Sequence, residues 1–158
     1  MILRKFRLLL VSCLIGLWTF SSQAAEWTMA SGYPKSNFHT QNIIKFIDDV
    51  KSGSSVKINL NPNDTLIKLD AIKTSLQRGQ IPIGEIRFGI YGNEDPMYIL
   101  AGLPFIAPDY ASAWLLKEVK HAYLQDKFNK KGLRILYTSP WPGQGFYTKF
   151  PVNKVSDF

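Results

Sequence analysis

The side chains able to do chemistry gather in three short segments, 31–40, 83–92 and 139–147. The first carries Tyr33, Asn37, His39 and Thr40. The second carries Glu85 and Arg87, with Asn93 just beyond it. The third carries Trp141, Gln144 and Tyr147. These are aromatic, amide, hydroxyl and charged groups, and aromatic walls with a few placed polar groups are what small-molecule pockets use. Glu85 stands apart. It follows Gly84 at the end of an apolar run, so its carboxylate is partly buried and needs a partner. His39 stands at a helix start, where it can cap the helix or hydrogen-bond a ligand. The others also admit structural roles. Tyr33 and Asn37 can order a turn. Arg87, alternating with Ile86 and Phe88, can face solvent. Trp141, between two prolines, can pack on a long helix.

Reaction chemistry is sparse by comparison. His121 falls on the polar side of a helix, and neither it nor His39 has the acidic neighbours or spacing of a zinc site. No G-x-S-x-G, Walker A or G-x-G-x-x-G occurs, and Gly143-Gln144-Gly145 is too short for a phosphate loop. Without a nucleophile–base pair the chain reads as a binder, with no metal and no cofactor expected.

The elements that must position these residues follow from periodicity and breakers. Trp27-Thr28-Met29-Ala30 is a strand, and the turn formers of 31–37 make a loop. A helix follows, capped by Ser36 or Asn37, with Ile43, Ile44, Ile47 and Val50 on its apolar face and Gly53 at its end. Val56-Lys57-Ile58-Asn59-Leu60 alternates as a half-buried strand. Asp64 can cap a second helix lined by Leu66, Leu69, Ile72 and Leu76 and closed by Gly79. Residues 80–90 read as strand and turn, and Asp95-Pro96 opens a short helical piece over 97–101. A longer helix is predicted over about 110–130, with Trp114, Leu115, Val119, Ala122 and Tyr123 on its inner side. Strands are predicted at 133–137 and 146–149, either side of the irregular Pro140-Trp141-Pro142 segment. Strand and helix alternate, which argues an α/β sheet flanked by helices. In such sheets ligands bind outside the carboxyl ends of the strands, where the three chemistry-bearing segments would converge.

The N-terminus carries an address. Arg4, Lys5 and Arg7 precede an apolar run over 8–20, and Ser21-Ser22-Gln23-Ala24-Ala25 suits signal peptidase. A run of about 13 residues is shorter than the ~20 a spanning helix needs, so a cleaved leader, residues 1–24, is expected, ending near Ala24 or Ala25. Leu10-Val11-Ser12-Cys13 also resembles a lipobox, but the stretch after Cys13 is more apolar still. Once the leader is removed no cysteine remains. Of 19 basic residues the leader takes three and no acidic one, leaving 16 against 12 acidic. That modest, dispersed balance argues against nucleic-acid binding. Lys127, Lys130, Lys131 and Arg134 cluster where a helix end welcomes cations.

Taken in order, these segments resemble a known family. Trp27-Thr28-Met29-Ala30, Ser36-Asn37-Phe38-His39-Thr40-Gln41-Asn42 and Gly79-Gln80-Ile81-Pro82-Ile83-Gly84-Glu85 are similar to the solute-binding subunit of TRAP transporters, the DctP type. Leu103-Pro104-Phe105, Leu133-Arg134-Ile135-Leu136-Tyr137, Trp141-Pro142-Gly143-Gln144-Gly145 and Val155-Ser156-Asp157-Phe158 follow in matching order. The resemblance implies a two-lobed, type II-like periplasmic binding protein of α/β class. Residues 25–145 would form the first lobe and 146–158 a crossover strand into an incomplete second. It implies a receptor that captures a small organic anion, a carboxylate with C4-dicarboxylates among the candidates, and hands it to TRAP membrane subunits. Nothing but the leader would enter a membrane. The family's carboxylate-binding arginine would lie beyond Phe158, so this chain is expected to bind weakly alone and to expose apolar surface. A periplasmic sensing module and a secreted enzyme are the alternatives.

Overall fold

The computed structural model describes residues 25–145 and 147–157. The expected leader, Cys13 included, and Phe146 of the expected crossover strand lie outside the described residues. The described chain is a mixed α/β unit. Strands β1 (Glu26–Ala30), β2 (Lys57–Asn61) and β3 (Ile83–Gly84) form a parallel sheet in the order β2-β1-β3. Met29 lies opposite Leu60 and Ile83, and Ala30 opposite Asn61 and Gly84.

Side chains of a strand alternate between the two faces of a sheet, and here each face is covered by a different helix. Met29, Ile58 and Ile83 meet Ile43 of helix α1 (Phe38–Gly53), with Phe46, Ile47 and Val50 of the same helix packed around them. Ala30 meets Ile72 of helix α2 (Ile72–Gln77) and Ile81, with Leu69 and Leu76 alongside. Two glycines let backbone come close here. A Cβ on Gly84 would stand 2.7 Å from Ile72 Cγ2, and one on Gly32 would stand 2.6 Å from Leu69 Cβ. Neither position has room for a side chain.

A third cluster builds the other end of the chain. Tyr91 and Tyr98 come from 3₁₀ turns, Phe88–Tyr91 and Pro96–Tyr98, and pack on Leu124 and Phe128 of helix α3 (Tyr110–Asn129). Polar clips hold this junction. Asp95 Oδ1 accepts from the Met97 backbone N–H at 2.9 Å, and its Oδ2 accepts from the Tyr123 hydroxyl at 2.7 Å and pairs with Lys127 at 2.9 Å. Glu94 pairs with Lys131 at 2.9 Å and with the buried Lys73, whose ammonium lies 4.0 Å from the centre of the Tyr91 ring. Three lysines of the basic cluster thus find carboxylates, Lys130 through Asp126.

Four expectations are corrected. Asp64 does not cap a long helix. It and Asn63 adopt left-handed φ of 57° and 58°, its Oδ1 accepts from the Leu69 N–H, and regular helix starts only at Ile72. Residues 133–137 form no strand. Their apolar side chains Leu133 and Ile135 instead pack on the Leu124–Phe128 cluster, and the nearby edge strand β3 is only two residues long. Residues 147–149 are likewise irregular. The inner face of α3 is also different. Lys120, Leu124 and Phe128 are buried, whereas Trp114, Leu115, Val119 and Tyr123 are exposed and Ala122 is too. Asp95 grips Tyr123 and Lys127 from the side, which turns the stripe at positions 120, 124 and 128 toward the 3₁₀ turns.

Candidate functional site

The site assembles at the carboxyl ends of β1 and β3. Beyond β1 comes Ser31, fully buried, and beyond β3 comes Glu85, whose backbone N–H donates to Ala30 at 2.9 Å and so extends the ladder. The Ser31 hydroxyl donates to Glu85 Oε2 at 2.5 Å. This is the partner that the sequence required for a half-buried carboxylate. Burial pushes the Glu85 carboxyl above its usual range, and the Ser31 hydrogen bond works against that shift.

The loop after Ser31 is held from several sides. Asn63 N–H donates to the Tyr33 carbonyl at 2.8 Å, and the Thr40 hydroxyl reaches the same carbonyl at 3.3 Å. Asn37 caps α1, its Oδ1 accepting from the His39 N–H at 2.8 Å. His39 is therefore the second residue of the helix and does not cap it. The residue is 6% exposed and its Nε2 is buried. Burial lowers its pKa, so the imidazole is neutral near pH 7.

Trp141 closes one side. Its ring meets His39 edge-on with centroids 4.4 Å apart, Tyr33 at 5.3 Å and Phe38 at 5.4 Å. These rings place it against the start of α1 and the loop before it. The Arg87 guanidinium carbon lies 6.0 Å from the centre of the Trp141 ring. Arg87 is also near enough to act through charge on the Tyr33 hydroxyl, though without hydrogen-bond geometry. Burial, the larger influence, raises that hydroxyl's pKa. Tyr137 stands nearby. Its hydroxyl pKa is raised, mainly by burial and further by the Glu85 charge, and its ring packs on Phe46 at 5.3 Å.

The structure thus brings Tyr33, His39, Glu85, Arg87 and Trp141 into one neighbourhood. Asn37 and Thr40 are there too, with their side chains engaged in holding the loop. Gln144 and Tyr147 are not drawn in. The Gln144 amide donates to the carbonyl of Pro142, and Tyr147 is 92% exposed. Ser31, Phe38 and Tyr137 belong to the neighbourhood and escaped the sequence reading. Ser31 had a signal, being the first residue after a strand end; Phe38 and Tyr137 look in sequence like ordinary core residues. Among the described residues no group of three or more histidine, cysteine or acidic side chains could hold a metal ion, and no helix is long and apolar enough to cross a membrane.

A strand-end cluster of aromatic rings, a half-buried carboxylate and a guanidinium has the chemistry to hold a small polar molecule. Comparison with known proteins gives a family. The family DctP, bacterial extracellular solute-binding protein, family 7, matches residues 29–158. The chain belongs to this family. No curated protein matches it. Among solved structures, the DctP member DctP7 of Bordetella pertussis, an extracytoplasmic solute receptor binding pyroglutamic acid, is 36% identical with a TM-score of 0.79. The match covers 85% of this chain and 45% of that one. DctP6 of the same organism, also a receptor binding pyroglutamic acid, is 38% identical with a TM-score of 0.72, over 75% of this chain and 40% of that one. A TRAP solute-binding protein from a marine metagenome, specific for pyroglutamate, is 36% identical with a TM-score of 0.79, over 85% of this chain and 45% of that one. The chain therefore spans less than half the length of these DctP relatives.

Proposed function

We propose that this chain is the first lobe of a periplasmic receptor that captures a small organic acid for a TRAP-type secondary transporter, and that the acid is pyroglutamate or a close analogue. The observation that carries this reading is the likeness, at 36–38% identity, to three receptors of pyroglutamate. The site is compatible with it. The Arg87 guanidinium beside Trp141 and the Glu85 carboxylate place charged groups of both signs at the strand ends. The family match supports a receptor over an enzyme, and the one hydroxyl paired with a carboxylate here, that of Ser31, is fully buried. Delivery to TRAP membrane subunits and export through a leader cleaved near Ala24 or Ala25 complete the proposal.

Two-lobed receptors strengthen ion pairs by enclosing the ligand away from water. The affinity expected of this chain by itself is therefore low. A thermal-shift series tests the reading, because a ligand that binds only the folded state raises its melting temperature. Pyroglutamate at millimolar concentration is expected to give the largest rise, with succinate, malonate and galacturonate giving less. Micromolar binding of succinate to the chain would overturn it. Genes for the two membrane subunits beside this one would favour transport, and a histidine kinase neighbour would favour the sensing alternative.

A further inference from the structure

The sheet-bound half of the chain meets the Leu124–Phe128 cluster across few polar contacts, and one of them involves a buried charge. Lys73, in α2, is 2% exposed, and a buried ammonium is costly unless it is paired. Its Nζ lies 4.0 Å from the centre of the Tyr91 ring and 5.6 Å from that of Tyr98. The one carboxylate that pairs with it among the described residues is that of Glu94. Glu94 stands at the surface, its side chain 35% exposed, and its other oxygen pairs with the more exposed Lys131. The next residue, Asp95, grips Tyr123 and Lys127 and so holds the 3₁₀ turns to α3. Of these two neighbouring carboxylates, Glu94 is the one that reaches back to α2. The Tyr91 hydroxyl donates to the Asp70 carbonyl at 3.1 Å, Ile86 packs in both apolar clusters, and Tyr137 lies on Phe46. Those further ties hold no group that titrates in acid. Trp141 lies on His39, which does.

We propose that Glu94 is an acid-released clasp: once its carboxylate is protonated, Lys73 is left buried without a counter-charge, and α3 with its 3₁₀ turns comes away from the sheet while β1, β2, β3 and α1 stay folded. The groups facing Glu94 fix the sign. Lys73 and Lys131 hold its carboxyl below the usual glutamate range, Lys73 first. Burial raises the Tyr91 and Tyr98 hydroxyls, so both rings stay neutral in acid. Asp70, Asp95 and Lys127 act on these tyrosines through charge only. A carboxyl lowered on folding contributes stability above its ordinary range, and that contribution is lost as pH falls through the lowered value. The clasp is therefore closed at neutral pH and opens below the glutamate range. Asp95, held down to about 2, lets go last, so α3 leaves together with the turns it grips. Contiguous units of a fold can open in this way short of global unfolding.

The measurement is amide hydrogen exchange of the mature chain by NMR between about pH 7 and about pH 2, comparing protection at Leu124 of α3 with that at Ile43 of α1. Leu124 is expected to lose protection at a higher pH than Ile43. Glu94→Gln opens the clasp at every pH. Leu124 is then expected to lose protection at least about tenfold at neutral pH, with Ile43 unchanged. Lys73→Met removes the charge that drives opening, and its flexible apolar chain suits the space between the two rings. Release is then expected to move to lower pH. The double variant is expected to regain the neutral-pH protection of Leu124, because the loss comes from an unpaired ammonium and not from a missing bond. Lys131→Gln removes only the exposed partner and is expected to change protection less than about threefold. Three results would overturn the proposal. They are loss of protection at Leu124 and Ile43 at the same pH, a double variant as open as Glu94→Gln, and loss of Ile43 protection along with that of Leu124 in Glu94→Gln.

Discussion

Helix α1 lies along the sheet and buries Ile43 to 3% exposure, with Phe46, Ile47 and Val50 filling in around it. Helix α3 is the longer of the two but buries no more residues than α1, Lys120, Leu124 and Phe128 against His39, Thr40 and Ile43, and Val119 stands 71% exposed with Trp114 and Leu115 close behind. Both helices begin on a polar cap, Asn37 for α1 and Asp109 for α3. Their beginnings are alike because capping is local. Their middles differ because burial depends on what else is near. The sheet offers α1 an apolar face, whereas α3 meets two short 3₁₀ turns and the irregular segment that carries Leu133 and Ile135. The site follows the same division: its polar atoms hang from the sheet-bound half, and the second half contributes mainly Trp141 and Tyr137.

The largest test of this contrast is core truncation. Ile43→Ala and Ile72→Ala are each expected to cost about 2–5 kcal/mol, because each leaves a cavity in a packed face of the sheet. Val119→Ala is expected to stay within about 0.5 kcal/mol, as exposed substitutions do. Urea unfolding of the mature chain measures all three, and an equal loss at Val119 and Ile43 would break the comparison. A smaller effect is expected at the start of α1. Asn37→Ala should cost about 1 kcal/mol, since it orphans the His39 N–H. It should also loosen the His39 ring, visible as broadened ring signals.

The finest test sets one carboxylate of each region against the other. Asp95 is held down to about 2, first by Lys127 and then by the Met97 N–H and the Tyr123 hydroxyl. Its contribution to stability is present above the ordinary aspartate range and is lost as pH falls from about 4 through about 2. Glu85 is shifted the other way by burial. Its contribution is present below the ordinary glutamate range and is lost as pH rises through its raised value. Asp95→Asn should therefore flatten the acid limb of the stability profile and lower stability at pH 7. Glu85→Gln should leave stability at pH 7 unchanged or raised, since Ser31 can still donate to an amide oxygen. Solvent around the Lys127 partner keeps the Asp95 effect below those of core truncation. A fall in stability on Glu85→Gln would show that the Ser31 bond, not burial, dominates there.

Much of the sheet-bound half is legible in the residues. The turn formers before Phe38, the apolar spacing of Ile43, Ile47 and Val50, and the alternation around Ile58 are local patterns with local consequences. So is the need of Glu85 for a partner, because a carboxylate after an apolar strand carries the same desolvation cost wherever the chain goes. The second half was less legible. The apolar stripe at Trp114, Leu115 and Val119 has helical spacing, but spacing does not say which side of a helix meets a neighbour. Residues 133–137 have strand composition, but a strand also needs an edge to pair with, and β3 offers two residues.

From residue types alone came the α/β class, a cap at Ser36 or Asn37 and the partly buried Glu85. Only the tertiary structure decided that Ser31 satisfies that carboxylate, that Trp141 lies on Tyr33 and His39, that α3 turns its stripe outward, and that Gln144 and Tyr147 stay apart from the site. The physical reason is range. Caps, turns and periodicity act over one to four residues, whereas the Ser31–Glu85 bond spans 54 positions, and closures of that length depend on the packing of everything between.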